Sequence, residues 1–274
     1  MNFYRTVILF IFLCIVTPAI ARFSASQRIR HSIEFFNDHN TLRIEGYLSF
    51  QANNGLLTTS YPNVLFRYGL IKILELRLGV QLSSINDLAK YTSKTGIAPI
   101  QPGLKIRLVK PKGFVPATAF TASFVIPHAA TSQLRQTYWA PSLIFSAEQD
   151  ITEKLSFEYA LGMQWDPDNF QRGYFTTLNM EYDFTPESTV YADAYLLKPE
   201  QTQADIRVDI GVNRTITKNL QFDLSAGAGL TNAAPEFFFN IGFIFSYGDW
   251  KKLAMKKNSY TNRPAQHTAP PLYR

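Results

Sequence analysis

Residues 155–165 read Leu-Ser-Phe-Glu-Tyr-Ala-Leu-Gly-Met-Gln-Trp, with an apolar residue at every odd position and a small or polar residue at every even position. A period of two is typical of a β-strand whose two faces meet different surroundings. Similar segments recur along residues 43–247. We therefore predict an all-β protein: a transmembrane antiparallel β-barrel of about 12 strands, with its apolar face toward lipid and its polar face toward the lumen.

The predicted strands are long. Strands of about 9–11 residues cross a bilayer when tilted, whereas strands of about 5–6 residues are typical of soluble sheets. Length therefore favours the membrane over a soluble all-β domain. The strands are predicted at 43–51, 60–69, 73–83, 101–110, 115–126, 138–148, 154–165, 172–183, 188–197, 204–213, 219–229 and 236–247.

The predicted connections alternate between tight and longer ones. This alternation is typical of an outer-membrane barrel with short periplasmic turns, longer outer loops and both termini in the periplasm. The tight turns are predicted at 70–72, 111–113, 150–153, 185–187 and 215–218, and the longer loops at 52–59, 84–100, 127–137, 166–171, 198–203 and 230–235.

Both ends of the sequence differ from the strand region. Residues 1–21 combine Arg5, a short apolar run and the A-x-A site Ala19-Ile20-Ala21, which predicts a signal peptide. Residues 22–42 form an N-terminal lead that could be an extra strand, a plug or a disordered segment. Residues 248–274 read as a basic flexible tail. The expected location is the outer membrane of a Gram-negative type cell.

Charge and cysteine usage exclude several function classes. Residues 22–247 hold 20 basic and 20 acidic residues, so the excess of positive charge lies in the tail. A nucleic-acid-binding protein would carry that charge on its folded domain, and we set this class aside. The single cysteine, Cys14, lies in the predicted signal peptide. The exported chain is therefore expected to lack disulfides, zinc-thiolate sites and a cysteine nucleophile.

Charged side chains on the predicted inward face are the candidate functional residues. Isolated buried ions are costly, so charges of both signs are expected to pair across strands. The network could only fill the barrel, or it could line a solute path, and the strand count lies between filled barrels and open porins. The predicted lumen-lining residues are Arg67, Glu75, Arg77, Lys105, Arg107, Glu158, Glu181, Asp193, Arg207, Asp209 and Asp223, with Glu45 and Asp183 on the same face.

Three motifs resemble a known family. They are Pro-Asn-Val-Leu-Phe-Arg-Tyr-Gly-Leu at 62–70, Leu-Glu-Leu-Arg-Leu-Gly at 74–79 and Gly-Leu-Thr-Asn-Ala-Ala-Pro-Glu-Phe at 229–237. Together they resemble the outer-membrane transporter-like family of meta-pathway phenol degradation proteins, over roughly residues 43–247. The resemblance implies an outer-membrane barrel that passes small hydrophobic or aromatic compounds and has no enzymatic activity.

The histidines do not favour an enzyme. A barrel hydrolase would need a histidine on a strand face or at the barrel rim, and the four histidines, His31, His39, His128 and His267, lie outside the predicted strands. We predict no catalytic residue, no cofactor and no metal site. The expected partners are outer-membrane lipid and a small hydrophobic solute, and the oligomeric state is left open.

The predicted function is that of a passive transporter or channel for small hydrophobic or aromatic compounds. The alternative is a sealed structural barrel that acts as an envelope scaffold or interaction protein. In that alternative, loops 84–100 and 127–137 would be the contact surfaces.

Overall fold

The computed structural model of this 274-residue chain describes residues 39–53, 56–87, 92–111 and 114–248. The predicted signal peptide, most of the N-terminal lead and all but the first residue of the basic tail lie outside the described residues, so these assignments stay predictions.

Within these ranges, thirteen β-strands make up a single sheet. A 3-10 helix, Ser132–Leu134, lies between the sixth and seventh of these strands. The strands are β1 Leu42–Asn53, β2 Leu56–Ile71, β3 Leu74–Asp87, β4 Thr92–Ile97, β5 Gln101–Val109, β6 Ala117–Val125, β7 Ala140–Asp150, β8 Leu155–Trp165, β9 Arg172–Thr185, β10 Ser188–Pro199, β11 Asp205–Thr217, β12 Leu220–Gly229 and β13 Phe237–Tyr247.

The sheet closes on itself. Strand β1 pairs antiparallel with β13 on one side and with β2 on the other. Strand β3 pairs with β4 along residues 82–87 and with β5 along residues 74–79, so β4 and β5 together occupy one position in the ring. The result is a closed 12-strand antiparallel barrel, which confirms the predicted fold class. Closure pairs the β1 and β13 edges that an open sheet would leave exposed.

Two of the predicted loops are wrong in detail. The predicted loop 84–100 contains the end of β3 and the whole of β4, whose sequence Thr-Ser-Lys-Thr-Gly-Ile lacks apolar alternation. The predicted loop 52–59 is mostly strand, because β1 ends at Asn53 and β2 begins at Leu56. Asn53-Asn54-Gly55 carries the Asn-Gly pair of a tight hairpin, a signal that outweighs the polar character of the segment.

The two faces of the barrel have opposite chemistry. The outward side chains Leu78, Leu161 and Ile210 are 39%, 55% and 69% exposed, whereas the inward Glu75 on β3 is fully buried. Each exposed Å² of apolar surface costs roughly 25 cal/mol in water, and such residues surround the barrel. An exterior of this kind is stable when hydrocarbon covers it. Among the described residues, no helix is long and apolar enough to span a membrane.

Longer connections lie together at one end of the barrel. The segment between β6 and β7 packs on β4, because the Thr131 amide donates to the Ile97 carbonyl at 2.9 Å and the Ile97 amide donates to the Thr131 hydroxyl at 2.9 Å. At the opposite end, β9 and β10 are separated only by residues 186–187, and β11 and β12 only by residues 218–219. The predicted alternation holds only in part, because β1 and β2 are separated only by residues 54–55 at the end with the longer connections, and β5 and β6 are separated by residues 110–116 at the opposite end.

Candidate functional site

A buried ion-pair cluster joins the first three strands inside the barrel. Arg67 donates from Nη1 to Glu45 Oε1 at 2.7 Å. It also forms a two-pronged contact with Glu75, from Nε to Oε1 at 2.8 Å and from Nη2 to Oε2 at 3.0 Å. All three residues are 0% exposed. Bidentate, charge-assisted hydrogen bonds of this kind offset part of the cost of removing three charges from water.

Further basic residues extend this cluster along β1, β3 and β5. Arg43 Nε lies 3.2 Å from Glu45 Oε1, and Arg77 Nε lies 3.7 Å from Glu75 Oε1. Lys105 is buried and Arg107 half-buried on the same face of β5. We call the basic residues of this set the basic wall, which consists of Arg43, Arg67, Arg77, Lys105 and Arg107.

An acidic row faces the lumen from the strands that follow. Cross-strand register places Glu148 beside Glu158, and Asp193 beside Asp209. Asn179 lies between the two pairs and donates a hydrogen bond to Asp193. These carboxylates lie at neighbouring positions in the cross-strand register. We call them the acidic row, which consists of Glu148, Glu158, Asp193 and Asp209.

More lumenal carboxylates lie on the acidic side of the barrel. Thr189 donates to Asp183, and the Tyr191 hydroxyl lies 3.2 Å from Asp223 Oδ2. Asp205 and Arg207 form an ion pair on β11. Arg207 is the basic residue on the lumenal face of the acidic side. Glu181 is half-buried on β9. This side of the barrel is therefore mainly acidic.

Neutral polar side chains face the lumen toward the end with the longer connections. Gln101 donates to the Ser123 hydroxyl at 3.1 Å, between β5 and β6. Asn240 donates to the Ser225 hydroxyl at 3.3 Å, between β13 and β12. The charged clusters thus lie beside a hydroxyl- and amide-lined region of the same interior.

Four inward aromatic side chains each lie over a glycine on the neighbouring strand. An added Cβ on Gly242 would lie 2.4 Å from the Tyr47 ring, so the ring occupies the space that a side chain would need. The other rings are arranged in the same way, and in each pair the two residues are direct register partners. Rings that cover glycines lie along the wall instead of across the lumen. The pairs are Tyr47 with Gly242, Phe175 with Gly162, Tyr191 with Gly211, and Phe238 with Gly227.

The predicted lumen residues all lie on the face opposite the exposed apolar side chains. Seven are buried, and Arg77, Arg107, Glu181 and Asp193 are half-buried. The buried ones are Arg67, Glu75, Lys105, Glu158, Arg207, Asp209 and Asp223.

Sequence reasoning missed two members of these sets, Arg43 and Glu148. Arg43 begins the first predicted strand, where the alternation has no preceding residue to fix it. Glu148 shares its parity with Ser142 and Ser146, so the period of two could have found it.

The described histidines lie outside the lumenal clusters. His39 Nδ1 lies 2.8 Å from the Leu70 carbonyl oxygen, and His128 is exposed in the segment between β6 and β7. Within the described ranges, no group of three or more His, Cys, Asp or Glu side chains could hold a metal ion. His31 and His267 lie outside these ranges.

The closed sheet, the apolar exterior and the charged interior define an outer-membrane β-barrel. Within that class, the chain belongs to the family described as "Putative MetA-pathway of phenol degradation", whose model matches residues 36–247. The predicted family is therefore confirmed.

Solved structures of outer-membrane channels share the fold. An outer-membrane channel from Pseudomonas putida F1 is 15% identical with a TM-score of 0.62, and the match covers 79% of this chain and 98% of that one. The KdgM porin in complex with disordered oligogalacturonate is 13% identical with a TM-score of 0.54, covering 75% and 99%. The NanC porin is 10% identical with a TM-score of 0.51, covering 74% and 98%. No curated protein matches the chain.

Proposed function

We propose that this protein is a passive outer-membrane channel for small hydrophobic or aromatic solutes. The observation that carries the proposal is the position of the inward aromatic rings over the glycines of the neighbouring strands. A barrel that only needs to be filled gains most from large side chains that project inward and pack together. Here the large rings lie against the wall and leave the lumen to the smaller and charged groups.

The same rings support the aromatic part of the proposal. Tyr47, Phe175, Tyr191 and Phe238 place aromatic surface on the lumenal face, within a wall that also carries ionised groups. An aromatic solute with a polar substituent could stack on such a ring and hydrogen bond to the wall. The family description, which refers to phenol degradation, supports this solute class.

Two matched glycine variants test whether the lumen conducts. In Gly242→Ala, the new methyl group displaces the Tyr47 ring on the lumenal face. In Gly46→Ala, the new methyl group displaces the Phe243 ring on the lipid face of the same strand pair. We expect lower single-channel conductance for Gly242→Ala and unchanged conductance for Gly46→Ala. Equal conductance in both variants would contradict a path past Tyr47.

The second candidate function is a sealed barrel that acts as an envelope scaffold. The complete burial of Arg67, Glu45 and Glu75 favours it, because solvent does not reach this part of the interior. Replacing the half-buried Arg77 and Arg107 by glutamine separates the two functions. Altered solute flux through liposomes that contain the purified variants supports a channel. Loss of folding alone, or no flux for any solute in the unaltered protein, supports the scaffold.

A further inference from the structure

Lumenal charges are sorted by sign around the barrel. On β1, β2, β3 and β5, the basic wall outnumbers its two carboxylate partners, Glu45 and Glu75. From β7 to β12, the lumenal charged residues are acidic apart from Arg207. In a ring of twelve positions, the strands of the basic wall stand opposite β8 to β11. The two signs therefore face each other across the lumen.

The acidic row would be costly if it only had a structural role. Like charges placed directly opposite on neighbouring strands destabilise a sheet, and both Glu148–Glu158 and Asp193–Asp209 are such pairs. If these residues only had to pack, neighbouring strands would be expected to carry charges of opposite sign at such positions. Glu158 is only 5% exposed, and its Oε1 has no hydrogen-bond partner within the described part of the chain.

Electrostatic interactions connect the two sides. Lys105 on β5 and Arg67 on β2 both act on Glu158 of β8, although β6 and β7 lie between β5 and β8 in the sheet. Opposite charges that face each other across a narrow lumen produce a field perpendicular to the barrel axis. A solute without a dipole must displace the water that this field orders and gains no interaction in return.

We propose that the lumen selects small dipolar solutes, above all zwitterions, which pass with the anionic end toward the basic wall and the cationic end toward the acidic row. This inference rests on the proposed channel function and narrows its solute class to aromatic compounds with ionised groups of both signs. Each end of such a solute meets the opposite charge, which a neutral molecule of the same size does not.

Four derivatives of one aromatic amino acid form a matched probe set. They are phenylalanine as the zwitterion, phenylalaninamide as the cation, N-acetylphenylalanine as the anion and N-acetylphenylalaninamide as the neutral form. Efflux of each from liposomes that contain the purified protein is compared with efflux from empty liposomes. We expect phenylalanine to pass about fivefold faster than the neutral derivative, the factor for one charge contact at about 4 Å in a hydrated lumen.

Variants on the two walls should change this preference in different ways. Arg107→Gln should slow the zwitterion and the anion, whereas Asp193→Asn should slow the zwitterion and the cation. Both residues are half-buried, and Arg107→Lys keeps the charge and should keep the preference. Arg214→Gln, on the outward face of β11, is the control and should leave all four rates unchanged.

The efflux rates distinguish a failure of the proposed selection from a failure of the proposed channel function. If all four derivatives pass at similar rates and the wall variants do not alter them, the channel stands and the dipolar selection is overturned. If none of the four passes, the channel function is overturned and the selection with it.

Discussion

Replacement of Arg67 by methionine should destabilise the barrel by about 3–5 kcal/mol, the cost of breaking a buried ion pair by removing one partner. Arg67 makes three hydrogen bonds to Glu45 and Glu75, and all three residues are fully buried. In the variant, Glu45 keeps the 3.2 Å contact with Arg43, and Glu75 keeps the 3.7 Å contact with Arg77. The carboxylates of Glu45 and Glu75 thus stay buried, while less positive charge offsets the cost of their burial.

The free energy of unfolding is measured by urea titration of the refolded protein in lipid vesicles. The control is Arg172→Met, which breaks the 2.7 Å ion pair between Arg172 and Glu200. The side chain of Arg172 is 50% exposed and that of Glu200 is 37% exposed. An exposed pair contributes about 0–1 kcal/mol, so the control should change little.

A conservative variant isolates the cause of the destabilisation. Arg67→Lys keeps a positive charge beside Glu45 and Glu75 but cannot form the two-pronged contact with Glu75, so it should lose less stability than Arg67→Met. If Arg67→Met costs no more than Arg172→Met, or if Arg67→Lys costs as much as Arg67→Met, the buried charges do not support the barrel as argued.

Three further predictions address the two faces and the function. Ile210→Arg places a charge on the lipid face near the bilayer centre and should lower the free energy of unfolding by about 2–4 kcal/mol. Ile216→Arg, near the end of β11, should lower it by only about 0–1 kcal/mol. Folding titrations in vesicles measure both values. Carboxylates outnumber basic groups on the lumenal face, so reversal potentials in a salt gradient should show cation selectivity; anion selectivity would contradict the assigned lumenal face. Asp209→Asn should shift the reversal potential toward anions, whereas the outward Arg214→Gln should leave it unchanged.

The sequence predicts the barrel well where a strand separates lipid from lumen. On β3 and β11, the two environments impose strict alternation, and the predicted strands fall within a few residues of the observed ones. Strand β4 was not predicted because its mainly polar sequence does not alternate between polar and apolar residues. It pairs with the part of β3 next to the longer connections.

Sorting of the charges by sign could not be predicted from local pattern alone. Each strand shows which residues face inward, but the contacts between Glu45, Arg67 and Glu75 depend on the stagger of β1, β2 and β3. The alignment of Glu158 with Glu148 depends in the same way on the register of β8 against β7. A register shift of one residue would send these side chains to the other face. The covering of Gly242 by the Tyr47 ring likewise requires the closure of β1 on β13.

Nitroxide scanning along β11 in lipid vesicles tests whether the barrel has hydrocarbon outside and a polar lumen, because it distinguishes the two faces one residue at a time. Single labels are placed at each residue from Ile206 to Val212, and collision with oxygen, which concentrates in hydrocarbon, is measured. We expect high oxygen accessibility at Ile206, Val208, Ile210 and Val212, and low accessibility at Arg207, Asp209 and Gly211. Uniform accessibility along the strand would contradict a barrel with hydrocarbon outside and a polar lumen within.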